Sequence, residues 1–127
     1  MSTRVLVVDD NEDNLRIVRE LLVKRGYEVE LARDGVGALA ALERSRPDVI
    51  LLDVMMPEMD GIQVLDRIRA NPRCASVPVI LVTAKTHDDD VLAGYKGGAD
   101  YYITKPFTAR HLLQGIRLVL GDESAAQ

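Results

Sequence analysis

The sequence predicts an α/β fold in which helices cover both faces of a parallel sheet. Continuous apolar runs, rich in β-branched residues and without alternating polar positions, are typical of strands buried on both faces. They are Val5–Val8, Val49–Leu52 and Val79–Val82. Segments with apolar residues at helical spacing separate these runs. Because strand and helix patterns alternate five times, we expect a doubly wound (βα)5 three-layer sandwich with right-handed crossovers.

Two weaker strand patterns complete the predicted sheet, from Tyr27 to Ala32 and from Asp100 to Ile103. Each predicted helix carries apolar residues at helical spacing. These are Leu15, Val18 and Leu22; Val36, Leu39 and Leu42; Ile62, Leu65 and Ile68; Val91, Leu92 and Tyr95; and Leu112, Ile116 and Val119. Gly26 and the pair Gly97-Gly98 are placed to end helices. Asp34 and Thr108 are placed to cap the second and last helices at their amino ends.

The composition indicates a soluble globular protein, with 127 residues, 47% of them hydrophobic and 28% charged. This length fits one compact domain. We expect it to span residues 1–121, with 122–127 as a frayed tail or the start of a linker. No stretch approaches the ~20 apolar residues of a membrane span, and the amino terminus has no signal-peptide pattern. We therefore expect a cytoplasmic protein without membrane insertion.

The charge pattern argues against direct contact with nucleic acid, because the net charge is −4 and nucleic-acid affinity depends on basic contacts to phosphate. Arg67, Arg69 and Arg73 are interpreted as a solvated edge. The single cysteine, Cys74, excludes an intramolecular disulfide. We expect it to be an inert surface residue.

Polar side chains follow four of the predicted strands. Asp9 and Asp10 follow the first strand, Asp53 the third, Thr83 the fourth and Lys105 the fifth. In doubly wound sheets the carboxyl ends of the strands share one rim, so these groups should converge. Carboxylates brought together repel one another without a cation, and oxygen ligands with open positions suit Mg²⁺. An aspartate beside the metal can act as a nucleophile towards a phosphoryl group.

Each of these signals also has an ordinary interpretation. The pair Asp9-Asp10 is about as often a helix N-cap with a solvated neighbour. Thr83 alone is more often a turn residue, and Lys105 alone is usually a solvated lysine. Their shared position at one rim favours the site, because chance would scatter them over both ends of the sheet. Lys105 would then supply a positive charge, and Thr83 a hydroxyl, to the phosphoryl oxygens.

Four motifs resemble the receiver domain of two-component response regulators, the family that includes the chemotaxis response regulator. They are Val-Leu-Val-Val-Asp-Asp, Leu-Leu-Asp-Val-Met-Met-Pro-Glu-Met-Asp-Gly, Val-Thr-Ala and Lys-Pro-Phe. The resemblance extends from Val5 to about Leu120. It implies a flavodoxin-like sheet in the order 2-1-3-4-5. It also implies a phosphoacceptor signalling switch of a phosphorelay, not an enzyme that turns over a substrate.

The resemblance assigns the site residues. Asp53 would accept a phosphoryl group from the phosphohistidine of a sensor histidine kinase or histidine phosphotransfer protein. Mg²⁺, for which Mn²⁺ can substitute, would be held by Asp9, Asp10, Asp53 and the backbone carbonyl of Met55. Thr83 and Lys105 would contact the phosphoryl group, and the bond from Lys105 to Pro106 would be cis.

The resemblance also implies a conformational switch. Thr83 would move towards the phosphoryl group, and Tyr102 would turn inward to fill the vacated space. The face made by the fourth and fifth strands, the helix predicted around Val91 and the last helix would change shape. That change would control binding of a downstream protein target, or a phosphorylation-dependent dimer. Met55 and Lys85 should flank the phosphoryl group, and neither can orient an attacking water. We therefore hypothesise slow self-dephosphorylation.

Two other functions compete with the switch. A magnesium-dependent phosphatase of the haloacid-dehalogenase type uses a similar set of Asp, Thr and Lys residues. That family places a second aspartate two residues after its nucleophile, where this chain has Met55. A pseudo-receiver would bind partners without accepting phosphate, and it predicts losses among the acidic or lysine positions that this chain retains.

Overall fold

The computed structural model describes residues 3–54, 56, 61–84 and 98–121, and within them it contains one parallel sheet in the order β2-β1-β3-β4-β5. The fold class and strand order predicted above are confirmed. The strands are β1 Arg4–Val8, β2 Glu28–Ala32, β3 Val49–Asp53, β4 Val79–Ala84 and β5 Tyr101–Lys105. Each lies within one or two residues of the apolar run that predicted it.

The helices in the described residues are α1 Glu12–Lys24, α2 Gly35–Arg44, α3 Gly61–Ala70 and α4 Ala109–Leu120. The helix predicted around Val91, Leu92 and Tyr95 lies outside the described residues. Asp34 and Thr108 cap α2 and α4 as predicted, because their side chains accept hydrogen bonds from the backbone N–H groups of Gly37 and His111. Asn11 caps α1 in the same way. None of the helices in the described residues is long and apolar enough to cross a membrane.

The two faces of the sheet bury separate sets of strand residues, because successive side chains of a strand point to opposite faces. On one face Leu6, Ile50 and Leu81 pack with the buried residues of α2 and α3. On the other face Val7 and Leu51 pack with the buried residues of α1 and α4. The face to which a residue near the end of a strand points therefore decides which of the two helix layers its side chain approaches.

The buried face of α2 differs in part from the predicted one, although Leu42 is buried and Leu39 packs against the core as predicted. Val36 was predicted to face the core, but it is 66% exposed. The other buried residues of the helix are small, namely Gly35, Ala38 and Ala41. Small side chains let a helix approach the sheet closely. The position of α2 therefore depends on small residues that the spacing of the larger apolar residues did not indicate.

Arg69 is not part of a solvated edge. Its guanidinium group donates five hydrogen bonds of 2.6 to 3.0 Å, and its side chain is only 20% exposed. The acceptors are the carbonyl oxygens of Ala75, Val77 and Gly98 and the carboxylate of Asp100. Arg69 therefore joins the end of α3 to the segments that lead into β4 and β5.

Cys74 is buried, contrary to the expected surface position. It is 2% exposed, and its Sγ lies 3.6 Å from the carbonyl oxygen of Ile68. Burial raises the pKa of the Cys74 thiol above its ordinary value, because an apolar environment disfavours the thiolate. The thiol therefore behaves as a small apolar group of the core.

We predict that Arg69→Lys lowers the free energy of unfolding by about 1–3 kcal/mol, because an ammonium group cannot reach the same carbonyl oxygens. Urea unfolding measures this loss. Arg67→Lys is the matched control, since Arg67 is exposed on the same helix and should change stability by less than about 0.5 kcal/mol. Equal stability of the two variants would contradict a structural role for Arg69.

Candidate functional site

Two neighbouring central strands deliver a pair of buried carboxylates to one edge of the sheet. Asp53 ends β3 and is 4% exposed, and Asp9 follows β1 and is 7% exposed. The backbone N–H of Asp9 donates to the carbonyl oxygen of Ala32 at 3.1 Å, which continues the pairing of β1 with β2. Both carboxylates are thus carried by paired backbone and not by a free loop.

The carboxylates of Asp9, Asp10 and Asp53 form one cluster. One oxygen from each lies within 4.8 Å of the other two. Charges of the same sign at this separation repel one another, and a divalent cation relieves that repulsion. An all-oxygen set of carboxylates with room for water fits Mg²⁺ or Mn²⁺ better than a metal that prefers sulfur or imidazole ligands. The donor set of this cluster therefore fits the cation that the sequence predicts.

Lys105 lies against two of the three carboxylates. Its Nζ is 3.5 Å from Asp9 Oδ2 and 3.5 Å from Asp53 Oδ2. These separations exceed the 2.7–2.9 Å usual for a charge-assisted hydrogen bond. The ammonium group thus offsets both carboxylates without a short bond to either. The peptide bond from Lys105 to Pro106 is cis.

Thr83 approaches the same edge from the opposite face of the sheet. It is 1% exposed, and the register pairs Val82 with Asp53 and Ala84 with Lys105. Thr83 lies two residues after Leu81 and so on the same face of the sheet, the face that packs with α2 and α3. Asp53, in contrast, lies two residues after Leu51, on the face that packs with α1 and α4.

Tyr102 is on the same side of the sheet as Thr83. Its register partner in β4 is Leu81, two residues before Thr83, and its side chain is 37% exposed. Met55 and Lys85, which were predicted to flank the reactive group, lie outside the described residues. The structure thus brings Asp9, Asp10, Asp53 and Lys105 together, with Thr83 beside them at the same rim.

Gly61 lies directly against the backbone of Asp53 and Val54. Its N–H donates to the carbonyl oxygen of Val54 at 2.9 Å. A Cβ at position 61 would lie 2.5 Å from the carbonyl oxygen of Asp53, closer than real Cβ atoms approach. The chain can therefore begin α3 against the strand end only with glycine here. In the sequence, Gly61 is recognisable only as the last residue of the motif Leu-Leu-Asp-Val-Met-Met-Pro-Glu-Met-Asp-Gly.

Asn11 and Asn14 contact the site, and sequence reasoning missed both. The backbone N–H of Asn11 donates to Asp9 Oδ1 at 2.9 Å, and Asn14 Nδ2 lies 3.4 Å from Asp9 Oδ2. The spacing of Asn11 and Asn14 is that of an N-cap and the residue whose N–H it accepts. This signal was readable in the sequence, but it indicates a helix start and not a contact with Asp9.

A cavity of about 510 Å³ extends from the carboxylates between α1 and α4. Its polar end contains Asp9, Asn14, Asp53 and Lys105. The remaining walls are mostly apolar, and they are formed by Val7, Val8, Ile17, Val18, Leu21, Leu51, Val82, Pro106, Phe107, Ala109 and Leu112. The carboxylates are therefore bordered on one side by apolar side chains, which lower the local dielectric constant and so strengthen electrostatic interactions at the site.

Comparison with known proteins places these features in a family. The family model described as the response regulator receiver domain matches residues 5–117. The sensory transduction protein RegX3 of Mycolicibacterium smegmatis is 46% identical over 118 residues, which are 93% of this chain and 50% of RegX3. The response regulator PleD of Caulobacter vibrioides is 44% identical over 117 residues, 92% of this chain and 26% of PleD. The chain thus spans half or less of the length of these relatives.

Solved structures agree with this comparison. The chemotaxis protein CheY4 of Vibrio cholerae superposes with a TM-score of 0.90 and 35% identity, over 94% of this chain and 100% of CheY4. The receiver domain of the sensor histidine kinase PA1611 from Pseudomonas aeruginosa superposes with a TM-score of 0.88 and 32% identity, over 96% of this chain and all of that domain. The latter is described with a magnesium ion coordinated in its active-site cleft.

We predict that Gly61→Ala lowers the free energy of unfolding by about 1–3 kcal/mol. It should also shift the amide ¹⁵N–¹H resonances of Asp53 and Val54, because the new methyl group displaces that backbone. Gly26→Ala is the control: Gly26 has a φ of 89° but nothing within 4 Å of its Cβ position, so its strain should leave Asp53 unshifted. Identical resonances for Asp53 in Gly61→Ala and the native protein would rule out the close approach.

Proposed function

Because the chain belongs to the family of response regulator receiver domains, we propose that it is a phosphorylation-controlled switch whose phosphoacceptor is Asp53. Receiver domains of response regulators are regulatory, and they interact with histidine kinases. The observation that carries the assignment is the cluster of Asp9, Asp10 and Asp53 within 4.8 Å, with Lys105 Nζ 3.5 Å from two of them. Three carboxylates and one ammonium group at one rim suit the transfer of a phosphoryl group to a carboxylate.

In the proposed reaction, a carboxylate oxygen of Asp53 attacks the phosphorus atom of a phosphohistidine. The new P–O bond forms as the P–N bond breaks, and the released imidazole takes up a proton. The burial of Asp53 at the end of a strand supports this role, because a fixed nucleophile loses little entropy on reaching the reactive geometry. The donor is a sensor histidine kinase or a histidine phosphotransfer protein.

Asp9, Asp10 and Asp53 would hold Mg²⁺, or Mn²⁺ in its place, together with the backbone carbonyl of Met55. When bound, the metal offsets the negative charge that the phosphoryl oxygens bring to the cluster. Lys105 would turn from the carboxylates towards one phosphoryl oxygen, and the Thr83 hydroxyl would donate to another. The two 3.5 Å contacts of Lys105 support this, because they are long enough to be exchanged for a shorter one.

The proposed switch uses the two faces of the sheet. Phosphorylation adds about −1.5 to −2 charge units at the rim, and Thr83 would be drawn towards it. Tyr102, on the same side of the sheet as Thr83 and 37% exposed, would turn inward. The resulting change on the face formed by β4, the helix predicted around Val91, β5 and α4 would bias a two-state equilibrium. That surface would bind a downstream protein target or a second copy of the chain.

The setting follows from the same proposal. Residues 1–121 would form the receiver domain, with 122–127 as a tail or the start of a linker. The protein would work in the cytoplasm, with no direct contact with nucleic acid and no membrane insertion. It would catalyse only its own phosphorylation and its own slow dephosphorylation. A haloacid-dehalogenase type of phosphatase is disfavoured by Met55, and a pseudo-receiver is disfavoured by the complete acidic and lysine set.

We predict that acetyl phosphate or phosphoramidate labels the protein once per chain in the presence of Mg²⁺, and that Asp53→Asn abolishes the label. Intact-mass spectrometry and Phos-tag gels measure it. Asp66→Asn is the matched control, because Asp66 is an exposed carboxylate on α3, and it should label normally. Continuous turnover of p-nitrophenyl phosphate would favour the phosphatase, and full labelling of Asp53→Asn would refute the assignment.

We also predict that Met55→Asn and Lys85→Glu each shorten the lifetime of the aspartyl phosphate. Each change supplies a group that can orient the attacking water, and we expect about a 10-fold effect, smaller than that of a full general base. Loss of label after removal of the donor measures the lifetime. Met55→Leu, which cannot hydrogen-bond water, is the control. Unchanged lifetimes in both test variants would count against slow self-dephosphorylation through these positions.

A further inference from the structure

We propose that Asn14 is a positioning residue that orients the carboxylate of Asp9 for the metal ion. This inference rests on the proposed function, because it assigns a role within the same site. Asn14 is the third residue of α1, and it is half-buried at the polar end of the cavity that also contains Asp53 and Lys105.

The two oxygens of Asp9 are held in different ways. Oδ1 accepts a hydrogen bond of 2.9 Å from the backbone N–H of Asn11. Oδ2 lies between two longer contacts, 3.4 Å from Asn14 Nδ2 and 3.5 Å from Lys105 Nζ. The orientation of the carboxylate is therefore fixed at Oδ1 by the backbone, while at Oδ2 it depends on an amide and an ammonium group together.

The local structure of α1 places the amide of Asn14 there. The side chain of Asn11 accepts a hydrogen bond of 3.0 Å from the backbone N–H of Asn14, which fixes the first turn of the helix. The next residues of α1 that border the cavity, Ile17 and Val18, are apolar. The amide of Asn14 thus has Asp9 as its polar neighbour on the side that faces the cavity.

The two donors to Asp9 Oδ2 differ in what phosphorylation does to them. In the proposed reaction Lys105 moves towards the phosphoryl oxygens, and it then supports Asp9 less. Asn14 is neutral, so the new charge attracts it less strongly than it attracts Lys105, and unlike Lys105 it adds no positive charge that opposes a cation. Its amide can therefore hold Asp9 in place throughout the reaction, as groups that hydrogen-bond to metal ligands do in other sites.

The test is Mg²⁺ affinity, measured by titrating the ¹⁵N-labelled chain with MgCl₂ and following its amide resonances. Asn14→Leu has nearly the same shape as asparagine but no donor, and we expect its dissociation constant for Mg²⁺ to rise about 10-fold. Its melting temperature without metal should stay within about 2 °C of the native value, since leucine suits the apolar cavity. Asn14→Ala is the second variant, should Asn14→Leu fail to fold.

Gln114→Leu is the matched control, because Gln114 is an exposed amide on α4 and its loss should leave Mg²⁺ affinity unchanged. Asp10→Asn tests the metal site itself. If Asp10→Asn weakens Mg²⁺ binding and Asn14→Leu leaves it within twofold of the native value, the role of Asn14 is refuted and the metal site stands. If neither Asp10→Asn nor Asp53→Asn alters Mg²⁺ affinity, the metal site fails, and the inference fails with it.

Discussion

The mutual repulsion of three clustered carboxylates is the constraint on which the rest of this site depends. Asp9 and Asp53 are nearly fully buried, and one oxygen of each lies within 4.8 Å of the others in the cluster. Such an arrangement persists only if the backbone leaves the side chains little freedom and if positive charge lies nearby. The central parallel strands provide the first condition. Lys105, at the carboxyl end of β5, provides the second in the absence of a metal.

The sheet separates the acidic groups from the residues proposed to report on them. Asp53 lies on the face of the sheet that packs with α1 and α4, whereas Thr83 and Tyr102 lie on the face that packs with α2 and α3. A change of charge at the rim can therefore act on both layers at once. On one side it would alter the contacts of Lys105 and Asp9, and on the other it would alter the proposed movement of Thr83 and Tyr102.

The opposite edge of the sheet has a different task. There Arg69 joins α3 to the chain before β4 and β5 with hydrogen bonds of 2.6 to 3.0 Å. A partly buried guanidinium group whose five donors are all used is costly to replace. Arg69 therefore stabilises the amino ends of β4 and β5, whereas the carboxyl ends of the strands carry the clustered charges of the site.

The sequence by itself determined the fold class and the main groups of the site. Continuous apolar runs identify buried parallel strands, and the geometry of such sheets brings the groups after Val8, Leu52 and Val82 to one rim. Only the tertiary structure decided the contacts between segments distant in the chain. Arg69 donates a hydrogen bond to the carbonyl oxygen of Gly98, 29 positions further along the chain. Gly61 packs against the backbone of Asp53 because α3 starts against the end of β3. Periodicity reports the face on which a residue lies, but not which atoms will oppose it. For that reason Asn14 looked like an ordinary helix residue until the fold placed its amide beside Asp9.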